Sequence, residues 1–444
     1  MSDRPPLGLF TDLYELRMAQ TCLREGMTAP ATFSLYIRPT RPRPWFIAAG
    51  TGAALELLER FRYGPAELDY LRTLGLSDEL LDWLAAFEPS GTVRAVHDGT
   101  VVLADEPLLE LTAPLPAGML LETAIMNVVQ LPTVIATKAA RCTLVAGGRA
   151  IADFGLRRAQ GLETGAEVAR AAYVGGVGST SNVEAGRRFG IPVVGTMAHS
   201  FVQAHGDELA AFRAFAAEHP DNSILLVDTY DTVGGVRHAI EIGQEMRARG
   251  EHLQAVRLDS GDLTALAKET RRLLDGAGFD DVSIFASGGI DEDDIHDLLA
   301  AGAPIDAFGV GTSLAVSRDA PAVDIAYKLV EYDGQPRAKY SEGKVLLPGA
   351  KQVFRDGDPT SDVLARRDEQ LAGQPLLGEV WRDGNAADTP DLDTARERAA
   401  AQLDALPDAW RDPRGPDEPP GPRISDALSE LADQLRSQEV SGAA

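Results

Sequence analysis

A histidine that takes part in phosphate chemistry needs a rigid frame behind it and open space in front. His199 has the sequence context for both. It closes the run Gly195-Thr196-Met197-Ala198-His199, which follows the short apolar stretch Ile191–Val194 and opens an amphipathic one from Phe201. A strand-to-helix corner of this kind holds a side chain firmly yet leaves it reachable by ligand. Four further segments fall at comparable corners: Asp153-Phe154-Gly155-Leu156-Arg157-Arg158, Ser179-Thr180-Ser181-Asn182, Arg257-Leu258-Asp259-Ser260-Gly261-Asp262 and Gly309-Val310-Gly311-Thr312. Of the seven histidines, only His199 stands in one of these loops; His219, His238, His252 and His296 fall on helical patterns or at their ends.

Each corner has its own chemistry. Arg257 and Asp259 are separated by Leu258 at a strand end, so alternation points both to one face. The guanidinium suits a carboxylate or phosphate in bidentate fashion, and the aspartate suits ribose hydroxyls or a metal; a structural ion pair is the plainer alternative. Gly288-Gly289 and Gly309-Val310-Gly311-Thr312-Ser313 come from the last two units, where backbone N–H groups can cradle phosphate because no Cβ keeps the anion away. Phe154 and Arg157 leave the first strand together and offer a flat face beside a cation, although core packing would explain Phe154 equally well. The segment Leu225–Gly235 loosely resembles a diphosphate-sugar motif, but its second acid is displaced and Val233 intervenes, so it reads as another barrel loop. Asp228 remains a candidate ligand for a metal or a hydroxyl.

Positioning five such corners requires a repeating frame. From about residue 149, short apolar runs alternate with helical patterns: Ala150–Phe154, Pro192–Gly195, Ile224–Val227, Ala255–Leu258, Val282–Ala286 and Ile305–Phe308. Most starts lie roughly thirty residues apart, the length of a βα unit, and the runs do not alternate, as strands buried on both faces should not. Asp231 and Asp291 read as helix N-caps, and Gly250 and Gly302 as helix stops. The fold class expected is α/β, an irregular (β/α) barrel over 136–325 whose working face is where strands end. Residues 1–135 read as an α/β sandwich domain, with strands at Thr32–Arg38 and Val93–Leu103 and helices at Gly52–Phe61 and Ser77–Phe87. The β-rich segment 326–384 reads as returning to that domain. The tail 385–444 carries thirteen acids against six bases. It contains a proline-rich stretch at Asp412–Arg423 between two surface helices, Thr394–Leu406 and Ile424–Gln438, and reads as a solvated appendage.

Composition narrows the class. At 444 residues and 44% apolar content the chain can bury a large core in two or three domains. A net charge of −25 disfavours nucleic acid and anionic membrane as partners and fits solubility. Two cysteines, Cys22 and Cys142, without metal-type spacing, exclude a disulfide framework and fit a reducing compartment. No signal-peptide pattern and no apolar run of membrane-spanning length is present, and the expected location is the cytoplasm.

Together these residues closely resemble the nicotinate phosphoribosyltransferase family. Thr11-Asp12-Leu13-Tyr14 is similar to the family's opening motif. The loops Phe154–Arg158, Thr180–Asn182, Gly195–His199, Arg257–Asp262 and Gly309–Thr312, and then Lys351-Gln352-Val353-Phe354-Arg355, match in order over about residues 8 to 360. Gln160 departs from the histidine that many relatives carry there.

The resemblance implies transfer of a phosphoribosyl group from 5-phosphoribosyl diphosphate to nicotinate, with release of pyrophosphate, in NAD biosynthesis by the Preiss–Handler salvage route. It further implies magnesium or manganese, and ATP as co-substrate coupled through a phosphohistidine matched by His199, which places the enzyme among carbon–nitrogen ligases. By the same carry-over Tyr14 and Phe154 sandwich the pyridine ring, Tyr14 coming from the second subunit of a homodimer with active sites at its interface. Arg257 with Thr196 holds the carboxylate, and Asp259 meets the ribose hydroxyls. Arg157 lies beside the ring, and Gly288, Gly311 and Thr312 lie near phosphate.

The amide-using sibling, nicotinamide phosphoribosyltransferase, carries an aspartate where Ser181 stands here; serine can donate to a carboxylate that an aspartate would repel. A ligand-binding sensor without catalysis is the reading from another class, and the joint presence of His199, Arg257 and Asp259 argues against it.

Overall fold

The computed structural model describes residues 5–40, 43–341, 344–388, 390–416 and 420–442. The chain separates into two compact units: Met1–Thr137 with Ala322–Trp410 and Gly415–Ala444, and Lys138–Pro321 with Arg411–Arg414. The change of unit falls inside one helix, Glu122–Ala146. That helix has no sequence stripe to betray it, because Val134, Ile135, Ala136, Ala139, Ala140 and Cys142 are all buried and Pro132 interrupts the pattern.

The first unit is built on a seven-stranded antiparallel sheet in the order Gln335–Pro336, Ile325–Tyr332, Pro30–Ile37, Pro107–Pro114, Thr92–Ala95, Gly378–Arg382, Asn385–Ala386. Ile325–Tyr332 thus pairs with Pro30–Ile37 across a long sequence gap. A second sheet orders Gln374–Pro375, Lys351–Arg355, Val363–Arg366 and Arg423–Ile424. The expected strand Val93–Leu103 is in fact two, Thr92–Ala95 and Val101–Val102, separated by a turn at Gly99, whose φ of 86° favours glycine.

The tail is not a solvated appendage. In the helix Leu392–Asp404, Ala395, Ala399 and Leu403 are buried. Gln402 Oε1 accepts from Val101 N (2.7 Å) and Arg355 Nη1 (2.9 Å). Trp45 Nε1 donates to Trp410 O (2.9 Å). A pattern that looked polar conceals a thin apolar face of small residues, which reads as surface in sequence. The proline-rich stretch 412–423 lies partly outside the described residues.

The second unit is an all-parallel six-stranded sheet in the order Ser179–Thr180, Ala150–Asp153, Ala307–Val310, Ser283–Ala286, Ala255–Leu258, Ile224–Leu226. Helices follow the strands, among them Leu162–Val174, His199–His205, Thr232–Ala248, Leu263–Gly276 and Glu292–Ala300. Asp231 and Asp291 cap two of them by accepting backbone N–H groups. Two strand expectations need correction. Pro192–Gly195 is not a strand: Val193 makes one isolated bridge to Thr180, since Pro192 has no N–H and glycines flank the run at 190 and 195. The last strand starts at Ala307 rather than Ile305, because Asp306 spends its carboxylate on Ile284 N (2.8 Å); Gly309 therefore lies inside the strand, and the corner begins at Gly311.

Candidate active site

The site is assembled at the carboxyl ends of this parallel sheet, where helices and strands leave backbone groups unpaired. Phe154, Arg157, Asp259, Gly288, Gly311 and Thr312, all singled out from sequence, line one cavity of about 260 Å3 together with Arg158, Ser287, Gly289 and Gly309.

Arg257, largely buried, is the hub beside it. Its Nε donates to Ser287 Oγ (2.9 Å), Nη1 to Thr196 Oγ1 (2.8 Å), and Nη2 to Asp259 Oδ1 (2.9 Å). Asp259 Oδ1 also accepts from Ser287 Oγ (2.6 Å). Burial pushes the Asp259 carboxyl up, but the Ser287 hydroxyl and the Arg257 guanidinium outweigh it and hold it below the usual carboxylate range. Ser287 carried no signal in sequence except its place before Gly288-Gly289. Gly288 has φ 104°, and a Cβ there would stand 1.8 Å from Asp259 O, so only glycine lets the two loops touch.

Phe154 supplies the aromatic wall. Its ring packs against Phe285 at 5.7 Å and lies 5.5 Å from the Arg257 guanidinium carbon. It occupies the space a side chain on Gly309 would need: a Cβ there would come within 2.6 Å of Phe154 Cε2. Under it, buried Asp153 accepts from Gly155 N (2.7 Å) and Thr180 Oγ1 (2.7 Å), and burial raises its pKa. Asp153 is thus an anchor for the Phe154 loop. Arg157 and Arg158 stand exposed at the cavity edge.

His199 is the first residue of its helix rather than a loop residue, with its side chain 40% exposed. Nδ1 lies 3.1 Å from Thr229 Oγ1, and Nε2 lies 4.0 Å from Asp228 Oδ1. The Asp228 side chain is buried; Oδ2 accepts from Asp259 N (3.1 Å) and Ser260 Oγ (2.5 Å), while Oδ1 has no hydrogen-bond partner. One carboxylate therefore joins the His199 corner to the Asp259 corner. His252, expected on a helix or at its end, lies in the coil between the helix Thr232–Ala248 and the strand Ala255–Leu258.

Two residues stand apart from the cavity lining. Ser181 donates its N–H to Asp153 O (2.8 Å). Tyr14 belongs to the other unit, on the helix Leu13–Arg24. The residue is 47% exposed, and desolvation with the charges of Glu122, Glu15 and Asp12 pushes its hydroxyl up to about 12. Thr11 and Asp12 of the opening motif serve that helix: Asp12 N donates to Glu15 Oε2 (3.2 Å), and Asp12 Oδ2 accepts from Thr123 Oγ1 (2.7 Å).

A carboxylate, an aromatic wall and two glycine corners thus open on one space, with the Arg257 guanidinium bonded to that carboxylate beside it. Such a set can hold a ligand with a flat ring, an acidic group, a ribose and phosphate. Among the described residues no group of three or more His, Cys, Asp or Glu side chains could cage a metal ion, and no helix is long and apolar enough to cross a membrane.

The same residues fall within two family models: the nicotinate phosphoribosyltransferase N-terminal domain matches residues 9–130, and the nicotinate phosphoribosyltransferase family matches residues 149–350. The chain is 50% identical over 419 residues to nicotinate phosphoribosyltransferase pncB2 of Mycobacterium tuberculosis, covering 93% of this chain and 90% of that protein. It is 40% identical over 386 residues to the nicotinate phosphoribosyltransferase of Bacillus subtilis, covering 84% and 78%. The crystal structure of human nicotinic acid phosphoribosyltransferase superposes with a TM-score of 0.83 at 28% identity, over 96% of this chain and 99% of that one. By sequence, and with a mixed α/β fold to match, the chain belongs to the nicotinate phosphoribosyltransferase family.

Proposed function

We propose that this protein forms nicotinate mononucleotide and pyrophosphate from nicotinate and 5-phosphoribosyl diphosphate, in the salvage route to NAD. The observation that carries the reading is the convergence of Asp259, Phe154 and the two glycine corners on one cavity, with Arg257 beside it, bonded to Asp259 and near the Phe154 ring. The pyridine nitrogen forms the new bond to C1 of the ribose as the bond from C1 to the pyrophosphate oxygen breaks. Positive charge gathers on the ring, so positioning and electrostatics matter more than a strong base. Arg257, with Thr196 beside it, binds the nicotinate carboxylate, and Phe154 stacks on the ring with Arg157 at its edge. Asp259 accepts from the ribose hydroxyls and faces the developing cation. Gly288, Gly311 and Thr312 hold phosphate through backbone N–H groups. Ser181 favours the acid over the amide by offering a donor where the sibling enzyme carries an aspartate.

His199 acts as a switch: the terminal phosphoryl of ATP passes to a ring nitrogen, ADP leaves, and later hydrolysis frees phosphate. The added charge reorders neighbouring loops and raises affinity for the sugar diphosphate. Its proximity to Thr229 and Asp228 supports that role. Magnesium or manganese fits as an ion carried mainly by substrate phosphates, with Asp259 and the unpartnered Asp228 Oδ1 as the protein's donors. When bound, the ion would neutralise charge on the departing pyrophosphate.

In this reading the second unit is an irregular (β/α) barrel, 1–135 with 326–384 is an α/β sandwich domain, and the molecule is a cytoplasmic homodimer. The exposed cluster Leu9, Phe10, Leu13 and Tyr14 supports a subunit contact that brings Tyr14 to the partner's pyridine.

The test is turnover of purified protein with 5-phosphoribosyl diphosphate and magnesium, comparing nicotinate with nicotinamide, each with and without ATP. Nicotinate mononucleotide, enhanced by ATP, is the expected product. Product from nicotinamide alone would reassign the substrate, and binding without product would make the protein a sensor.

A further inference from the structure

Behind the two glycine corners lies a buried charge cluster that no step above uses. Lys138, on the helix Glu122–Ala146, is 1% exposed and its Nζ pairs with Glu292 Oε2 and with Asp319 Oδ1, the latter at 3.0 Å. Arg141, one turn further along the same helix, donates from Nε to Glu292 Oε1 (2.8 Å) and from Nη2 to Pro413 O (2.5 Å). Burial alone would lower the Lys138 pKa, but the Glu292 and Asp319 carboxylates outweigh it and the ammonium stays charged.

The two acids sit just downstream of the two phosphate corners. Glu292 follows the N-cap Asp291 directly, and the chain before it is Gly288-Gly289-Ile290. Asp319 follows the short helix Thr312–Ala315 through Ser317, which takes an unfavourable left-handed φ of 46° and is held by its hydroxyl on Ala320 O (2.9 Å). One ammonium therefore ties the segment after Gly288 to the segment after Thr312. Three buried charges and a fourth, Asp319, that is mostly buried are an expensive way to fill a core, and well-packed apolar residues would be as stable; what ionic hydrogen bonds add is a fixed geometry.

We propose that Lys138, Glu292 and Asp319 are positioning residues that set the spacing of the Gly288-Gly289 and Gly311-Thr312 corners for the phosphates of the sugar diphosphate. The tail completes the set by accepting from Arg141 at Pro413. The proposal rests on the phosphoribosyl reading of the cavity. Arg257 lies on the strand Ala255–Leu258 and Phe154 just after Ala150–Asp153; each has supports outside the two corners, Thr196 and Asp259 for Arg257 and Phe285 for Phe154, so the pyridine end of the site is moved less.

Two variants test it, Asp319→Asn and the isosteric Glu292→Gln, each in the full chain. Binding of 5-phosphoribosyl diphosphate is measured by titration calorimetry, the KM of both substrates by turnover, and folding by thermal melting. The expected result is a roughly tenfold weaker affinity and higher KM for 5-phosphoribosyl diphosphate in both variants, the size of loss that small misplacements cause. The nicotinate KM should stay within about twofold of the parent at temperatures well below melting. Equal rises in both KM values, or a lowered melting temperature with unchanged sugar-diphosphate binding, would make the cluster purely structural and overturn the proposal. No calorimetric binding of 5-phosphoribosyl diphosphate to the parent protein would overturn the functional reading itself, and this proposal with it.

Discussion

Arg257 spends Nε–H on Ser287, both Nη1 hydrogens on Thr196 Oγ1 and Met197 O, and one Nη2 hydrogen on Asp259. A guanidinium has five donors, so one Nη2 hydrogen remains to meet a carboxylate without breaking these bonds. Removing the side chain deletes a charge-assisted contact of about 1.5–3 kcal/mol, and Arg257→Ala should raise the nicotinate KM by roughly 10- to 100-fold. The KM for ATP should change little; steady-state kinetics with each substrate varied gives the comparison, and similar shifts in both would contradict the assignment. His199→Ala should abolish acid-labile phosphoenzyme formed from radiolabelled ATP and leave turnover unstimulated by ATP. Stimulation as strong as in the parent would place the switch elsewhere.

The strand Ala307–Val310 and the loop after Ala150–Asp153 interlock through one missing Cβ, since Phe154 lies where a Gly309 side chain would be. Gly309→Ala should therefore destabilise the unit by about 1–3 kcal/mol, as overpacking does. It should also raise the nicotinate KM more than the KM for 5-phosphoribosyl diphosphate if, as proposed, the tilted ring stacks on the pyridine. Urea midpoints and the two KM values check this; a change in stability alone would detach Phe154 from the substrate.

In the strand Lys351–Arg355, the Lys351 ammonium is buried, and desolvation holds its pKa down to about 8 from 10.5 despite Glu110 nearby. Below about 8 both folded and unfolded chains carry the proton; between 8 and 10.5 only the unfolded chain does, so folding gains stability as pH rises through that window. Urea titrations across it should show this gain in the parent and a flatter trend in Lys351→Met. Identical slopes would mean that Lys351 titrates normally.

For the molecule as a whole, the acidic tail is a structural part of both units: residues 411–414 group with the second and their neighbours on either side with the first. Truncation tolerance follows burial and hydrogen bonding of the lost backbone rather than closeness to a terminus. Ending the chain at residue 390 removes buried Ala395, Ala399, Leu403 and Leu428 and leaves Val101 N without Gln402. The truncated protein should melt well below the parent and be cleaved faster by a nonspecific protease. Unchanged melting would return the tail to the role of a solvated appendage.

Sequence alone was enough for the local chemistry. N-caps such as Asp231 and Asp291, and the same-face pairing of Arg257 with Asp259, depend on neighbours a few residues apart, so spacing and residue type reveal them. Six of the cavity residues, Phe154, Arg157, Asp259, Gly288, Gly311 and Thr312, were legible for the same reason: each stands at a corner whose turn chemistry is local. What the sequence could not reveal depends on groups brought from afar. Ser287 gains its role only when Arg257 and Asp259 are folded against it, and Asp228 only by lying between His199 and the Asp259 loop. The helix Glu122–Ala146 hides because continuous burial from Pro132 to Cys142 erases the periodic stripe. The tail's Pro413 carbonyl acquires a partner only through a contact 272 residues away. Propensity and pattern are short-ranged, whereas burial and ion pairing are settled by which distant surfaces meet, and that is decided by tertiary packing.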